Sequence, residues 1–174
     1  MPILSGYSDR LKIRFFIGRI PKAAHVLEIG CGSGWLGAHM RAHGWKHYTG
    51  IDVHPPADFV GDIKNWEKLG LPPEGYDVII AFEVLEHVDC WQEMYDLLKP
   101  GGLAMITMPI PERDWVCRWL ELAGLSQRRT TPHTHLIDLR HAPFFKPVFI
   151  QRVGWLAQWA ILRKPVVVEG NGAA

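Results

Sequence analysis

A short apolar segment that runs directly into closely spaced glycines constrains the fold more than any other feature of the sequence. His25-Val26-Leu27-Glu28-Ile29 has the length and apolar content of a buried strand, and Gly30-Cys31-Gly32-Ser33-Gly34 follows it without a gap. Glycines let the backbone turn tightly from a strand into a helix. Residues 35–43 are predicted to form that helix, which ends at Gly44. This pattern is typical of a parallel α/β sheet.

Strands and helices are predicted to alternate along the rest of the chain. Apolar runs predict strands at residues 47–53, 58–61, 76–82 and 103–108, and helices at residues 84–98 and 112–123. Two later apolar runs, 148–153 and 155–162, are separated at Gly154 and predict a closing pair of strands. We therefore predict an α/β fold with a doubly wound mixed sheet of about seven strands, in a single domain.

Composition excludes several other classes of protein. The chain has 174 residues, which suits one domain. Its 19 basic and 18 acidic residues give a net charge of +1, so there is no overall basic field to hold a long nucleic acid. The 3 cysteines show no CxxC spacing, which favours a reducing compartment. Neither a signal peptide nor a transmembrane segment is predicted, so we expect a cytoplasmic location.

The N-terminal region combines apolar and basic residues. The spacing of Leu11, Phe15 and Ile20 allows a short amphipathic helix that stops before Pro21. We interpret the basic residues of this region as a solvated helix face; they are Lys12, Arg14, Arg19 and Lys22.

The glycine loop is the first candidate for a ligand site. Parallel sheets bind ligands beyond the carboxyl ends of their strands, and a helix N-terminus lies at the same place. Gly32-Ser33-Gly34-Trp35-Leu36-Gly37 also fits the dinucleotide fingerprint, with Asp52 placed 20 residues after Gly32. Glu28, however, stands just before the loop. A carboxylate there would repel a pyrophosphate but suits a cationic ligand.

Four segments in order resemble the motifs of class I S-adenosylmethionine-dependent methyltransferases. Residues 26–34 are similar to the first motif of that family, and Asp52 matches the acid that ends its second strand. Residues 76–80 followed by Phe82-Glu83-Val84-Leu85-Glu86-His87-Val88 resemble the fourth motif. Residues 97–102 resemble the turn into the fifth strand. The pattern is most similar to the small enzymes that resemble quinone-biosynthesis O-methyltransferases, and it implies a Rossmann-like fold.

The resemblance implies that S-adenosylmethionine is the cofactor and suggests how it is held. The loop would wrap the methionine moiety, and Asp52 would bind both ribose hydroxyls. Val53 would pack on the adenine, Asp62 would read its amino group, and Phe82 would lie near the sulfonium. The full set of implied cofactor-binding residues is Glu28, Gly30, Cys31, Gly32, Gly34, Asp52, Val53, Asp62, Ile63, Phe82 and Glu83.

The implied reaction is methyl transfer to a small-molecule acceptor, at oxygen. Residues 25–108 would be the cofactor-binding core, and residues 1–24 and 109–147 would form the acceptor cap. The cofactor carries the activation, so the protein mainly aligns the acceptor and excludes water. An oxygen acceptor also loses a proton, and His87, just beyond the fourth strand, is the candidate general base.

Glu83, Glu86 and His87 leave a second interpretation open. On one helical face, two carboxylates and an imidazole could hold a divalent cation, with His133 and His135 as further donors. We do not favour a metal, but metal-assisted 2′-O-methylation of RNA stays an alternative, although nucleic acid is the less favoured partner. A methyltransferase-like regulatory subunit that binds cofactor without catalysis is another alternative. A homodimer is also left open.

Overall fold

The fold alternates strands and helices in the computed structural model, which describes residues 3–113, 116, 119 and 134–166. The chain begins with helix α1 (Ile3–Phe15) and a single 3-10 turn (Ile17–Arg19). Two further helices whose bounds lie within the described residues are α2 (Trp35–Ala42) and α3 (Trp91–Leu97). The strands are β1 (Val26–Ile29), β2 (Tyr48–Asp52), β3 (Phe59–Val60), β4 (Tyr76–Phe82), β5 (Leu98–Pro109), β6 (Lys146–Val153) and β7 (Ala157–Arg163).

The seven strands form one sheet in the order β3-β2-β1-β4-β5-β7-β6. Strands β1 to β5 pair in parallel, whereas β7 is antiparallel to both of its neighbours, β5 and β6. The mixed seven-stranded sheet and its closing pair are therefore confirmed. The carboxyl ends of β1, β2 and β4 meet at one edge of the sheet, which is where the predicted site residues lie.

An apolar core covers each face of the sheet. Strand β1 is buried at all of its residues, as its continuous apolar sequence predicts. In β4, Ile79 and Ala81 belong to one core and Val78 and Ile80 to the other. Helices α3 and α2 pack on opposite faces, so the sheet is doubly wound; their core residues are Trp91, Met94 and Leu97 in α3 and Leu36 and Met40 in α2.

Two aromatic residues fix the N-terminal segment on the sheet. Phe16, which follows α1, is fully buried, with its ring centroid 5.0 Å from that of Phe82 and 5.3 Å from that of Trp159. Helix α1 is thereby anchored beside the end of β4. None of the helices in the described ranges is long and apolar enough to cross a membrane.

The predicted helix over residues 84–98 is wrong in its first half, since α3 starts only at Trp91. The N–H groups of His87 and Val88 bond to the carbonyl of Val84, which makes a single turn. The Glu86 carbonyl instead accepts the N–H groups of Thr134 and His135, at 2.9 and 3.2 Å. Glu83, Glu86 and His87 therefore do not share a helical face. The predicted helix at residues 112–123 lies largely outside the described residues.

Candidate functional site

The glycine loop lies between β1 and α2 and is tied to β2. The N–H groups of Gly30 and Cys31 both bond to the Ile51 carbonyl, at 2.8 and 3.2 Å. Gly30 has a φ of 72°, and a Cβ added there would lie 2.4 Å from a methyl carbon of Val84. Gly32 has a φ of 50°, but a Cβ added there would meet nothing within 4 Å. The space next to Gly32 is thus open, whereas a side chain at position 30 would clash with Val84.

Asp52, at the end of β2, is held in a fixed orientation. Its Oδ2 accepts the N–H of Gly32 at 2.8 Å, and its Oδ1 accepts the N–H of His54 at 3.0 Å. Each carboxylate oxygen has more than one lone pair, so each can still accept a further hydrogen bond. The side chain can therefore receive a pair of hydroxyl groups through charge-assisted bonds.

Glu28 is a buried carboxyl next to the loop. Only 3% of the residue is exposed, and the Tyr48 hydroxyl donates a hydrogen bond to Oε2. Burial raises the pKa of Glu28 to about 7, and the negative charge of Asp52 adds to that rise. The Tyr48 hydrogen bond and the charge of Lys12 act in the opposite direction. A cationic ligand beside the loop would favour the ionised form of Glu28.

Cys31 contributes its backbone to the loop more than its thiol. The side chain is buried, and Sγ lies 3.7 Å from the Pro56 carbonyl oxygen. Burial raises the pKa of the Cys31 thiol to about 11, so it stays protonated and is not a nucleophile at neutral pH. Gly34 follows at the start of α2.

The residues expected at the adenine end differ in exposure. Val53 is 58% exposed just beyond β2. Asp62 is exposed, and its Oδ1 accepts the N–H of Lys64 at 2.9 Å, which caps a 3-10 turn. Ile63 is buried in the core beneath these two residues. Because β2 and β3 are paired, all three residues lie near the same edge of the sheet.

Phe82 and Glu83 lie at the end of β4, on the other side of the glycine loop. Glu83 has a φ of 57°, an uncommon conformation for a residue with a side chain. Its Oε1 accepts the Thr107 hydroxyl at 2.7 Å and lies 3.5 Å from Nζ of Lys12. The Lys12 Nζ also lies 5.4 Å from the centroid of the Phe82 ring.

Two buried charged residues of this region differ from their interpretation in the sequence analysis, which took Lys12 as solvated and considered Glu86 only as a possible metal ligand. Lys12 is buried, so its interpretation as part of a solvated helix face is wrong. Glu86 is also buried, and its Oε2 has no hydrogen-bond partner within the described ranges. Burial, and then the negative charge of Glu83, raise the pKa of Glu86. For Lys12, the only sequence signal was a charged residue between the apolar Leu11 and Ile13.

The possible metal donors among the described residues do not form a metal site. His87 is half-buried in the turn after β4, while His135 is exposed in a later segment. Within the described part of the chain, no three histidine, cysteine or acidic side chains come together as metal ligands. His133 lies outside the described residues.

Comparisons with a family model and with curated relatives point to the same family. The chain matches a family model described as "Methyltransferase domain" over residues 7–164. It is 33% identical over 99 residues to a probable S-adenosylmethionine-dependent methyltransferase of Mycolicibacterium smegmatis, a match that covers 48% of this chain and 37% of that protein. It is 29% identical over 150 residues to a ubiquinone biosynthesis O-methyltransferase of Cereibacter sphaeroides, covering 71% and 60% respectively. The chain thus spans less than two thirds of the length of these relatives.

Solved structures share the fold. A protein from Pyrococcus horikoshii superposes with a TM-score of 0.70 at 16% identity, with 91% of each chain covered. The phosphoethanolamine N-methyltransferase 2 of Haemonchus contortus, solved in complex with S-adenosyl-L-methionine, gives a TM-score of 0.65 at 14% identity. That match covers 91% of this chain and 53% of the other. At these identities the likeness concerns the fold alone.

Proposed function

The chain belongs to the class I S-adenosylmethionine-dependent methyltransferases, and we propose that it transfers a methyl group from this cofactor to oxygen of a small-molecule acceptor. The family and the cofactor agree with those expected from the motifs. The observation that carries the proposal is the paired arrangement of Asp52 and the glycine loop. Asp52 is fixed by the loop itself, through the N–H of Gly32, and a Cβ added at Gly32 would meet nothing within 4 Å.

The proposed cofactor contacts follow the order of the strands. The backbone of Gly30, Cys31, Gly32 and Gly34 would hold the methionine part, with Glu28 supplying negative charge beneath it. Asp52 would accept both ribose hydroxyls. Val53 and Asp62 offer exposed surface for the adenine, and Ile63 would support it from the core. Phe82 and Glu83 would lie near the sulfonium, where a ring face and a carboxylate both favour a cation.

The bound cofactor supplies an activated methyl group, so the residues of the chain mainly have to position the acceptor and manage its proton. His87, in the turn after β4, is the proposed general base for an acceptor hydroxyl. Similarity to ubiquinone biosynthesis O-methyltransferases supports oxygen as the acceptor atom. Residues 1–24 and 109–147 are proposed to form the acceptor cap.

Binding calorimetry tests the cofactor assignment. We expect S-adenosylmethionine and S-adenosylhomocysteine to bind, and NAD not to bind. Asp52→Ala should weaken both sulfur ligands by well over tenfold, since each charge-assisted hydrogen bond is worth about 1.5–3 kcal/mol. Glu67→Ala, at an exposed position away from the loop, is the matched control. Unchanged affinity in Asp52→Ala would contradict the assignment of Asp52 to the ribose.

An acceptor screen then tests the reaction. Phenols, catechols and aliphatic alcohols are incubated with the protein and methyl-labelled cofactor, and products are identified by mass spectrometry. The proposal expects a label on oxygen. A label found only on nitrogen or carbon would overturn the choice of oxygen but not the family.

A further inference from the structure

Helix α1 brings a buried cation to the acidic end of the proposed cofactor site. Only 8% of Lys12 is exposed, and its Nζ lies 3.5 Å from Oε1 of Glu83 and 5.4 Å from the Phe82 ring centroid. A lysine is seldom buried unless an opposite charge accompanies it. The ion pair with Glu83 accounts for the burial of this charge.

Among the residues that the structure describes, one carboxylate contacts the ammonium of Lys12, whose charge acts on further carboxyls nearby. Glu83 makes the direct contact, and the positive charge of Lys12 also acts to lower the pKa of Asp9, Glu28 and Glu86, against the effect of burial. Glu28 lies at the end of β1, whereas Glu83 and Glu86 lie at and beyond the end of β4. Lys12 thus lies at the β4 end of the site, and its charge also acts on Glu28 beside the glycine loop. Within the described residues, Oε2 of the buried Glu86 still lacks a hydrogen-bond partner.

We infer that Lys12 is an internal counter-cation of the cofactor pocket, which pairs with Glu83 when no sulfonium is present and is displaced from it when a sulfonium binds. The inference rests on the proposed function. S-Adenosylmethionine has a positive sulfonium, while the product S-adenosylhomocysteine has a neutral thioether in its place. Two cations beside one carboxylate repel each other, and the effect is strong in a poorly solvated site.

The anchoring of α1 determines what such a displacement can move. Phe16 and Ile17 are fully buried and hold the C-terminal end of the helix in the core. Lys12 lies one turn before this anchor, so release of its ammonium loosens α1 from the end of β4 without removing the segment from the sheet. The product complex, which lacks the sulfonium, allows the pair with Glu83 to form again. Helix α1 would then respond to the charge of the bound cofactor.

The ratio of two dissociation constants measures this coupling without an acceptor. Calorimetry gives the affinities for S-adenosylmethionine and S-adenosylhomocysteine in one buffer. Lys12→Met should shift the ratio about tenfold in favour of S-adenosylmethionine, because the competing charge is gone. Glu83→Gln should shift it in the opposite direction. Arg14→Met removes an exposed charge of the same helix and should leave the ratio unchanged.

A second measurement uses the unaltered protein. Amide hydrogen exchange over residues 8–15 should be faster with S-adenosylmethionine bound than with S-adenosylhomocysteine bound. An unchanged affinity ratio in Lys12→Met would overturn the inference alone, as would equal exchange with both ligands. Failure of the unaltered protein to bind either ligand would overturn the proposed function and the inference together.

Discussion

At the scale of single residues, Glu28 combines a buried position with a charge that the proposed ligand requires. The pKa of its carboxyl rises from an ordinary 4.5 to about 7 in the folded protein. Between these two pKa values the folded state binds more protons than the unfolded state. The contribution of Glu28 to the free energy of unfolding therefore falls as the pH rises. Above pH 7, ionised Glu28 costs about 3 kcal/mol of folding free energy, from about 1.4 kcal/mol for each pKa unit.

Glu28→Gln should therefore stabilise the protein only where Glu28 is ionised. Glutamine keeps an acceptor for the Tyr48 hydroxyl but carries no charge. We expect the free energy of unfolding in urea to rise by about 2–3 kcal/mol at pH 8 and to change little at pH 4.5. The affinity for S-adenosylmethionine should fall in the same variant. Glu67→Gln is the exposed control; an equal gain at both pH values would show that ionisation is not the cause.

At the scale of elements, the turn from β1 into α2 requires glycine for two different reasons. Gly30 combines a positive φ with a contact to Val84, whereas Gly32 has a positive φ and open space around it. The first position therefore links the loop to the segment after β4. The second exposes the backbone to a ligand.

Gly30→Ala and Gly32→Ala should separate these two reasons. Gly32→Ala should lower the free energy of unfolding by about 1–2 kcal/mol, which is the strain of a side chain in the left-handed region. Gly30→Ala should lower it further, because Val84 has to move as well. Thermal unfolding measures both, and Gly18→Ala serves as the control at an open position with an ordinary φ. Equal losses in the two variants would mean that the Val84 contact relaxes without cost.

The elements also show which predictions the sequence supports. Strands β1 and β4 follow from continuous apolar runs, because strands buried on both faces need them. The helix after β4 was predicted to start too early. Local spacing does not reveal that the N–H groups of Thr134 and His135 bond to the Glu86 carbonyl, which a continuous helix would use internally. Lys12 was misplaced for a similar reason: its carboxylate partner lies far along the chain. The glycine loop and its contact with Asp52 follow from the local turn between a strand and a helix, which the sequence reveals. The surroundings of Lys12 depend on contacts that are distant in sequence.

At the scale of the whole molecule, Lys164 connects segments that are far apart in sequence. It is buried immediately after β7, and its Nζ donates to Oε1 of Glu74 and to the carbonyls of Tyr95 and Leu98, at 2.8, 2.9 and 2.8 Å. These contacts fasten the end of β7 to α3 and to the start of β5. They lie at the opposite edge of the sheet from the glycine loop.

Lys164→Met should destabilise the protein without affecting the site. Loss of the buried ammonium leaves the carbonyls of Tyr95 and Leu98 without this donor, whereas the Glu74 carboxylate is half exposed and is solvated by water. We therefore expect a loss of about 1–3 kcal/mol in the free energy of unfolding. The affinity for S-adenosylmethionine should not change at temperatures where the variant is folded. Lys99→Met removes the half-exposed pair with Asp77 and should cost at most about 1 kcal/mol. A large loss of affinity in Lys164→Met would show that the two ends of the sheet are coupled.

The order of the strands has a consequence for synthesis on the ribosome. Strand β5 pairs with β4 on one side. Its neighbour on the other side is β7, which is the last of the described strands along the chain. At about 5–20 residues per second, translation of the residues between β5 and β7 takes several seconds. For that time the nascent chain presents a long, apolar strand with one unpaired edge, a template for pairing between chains. The yield of native protein should then depend on translation speed and on chaperones that cover this edge, as well as on the stability of the finished fold.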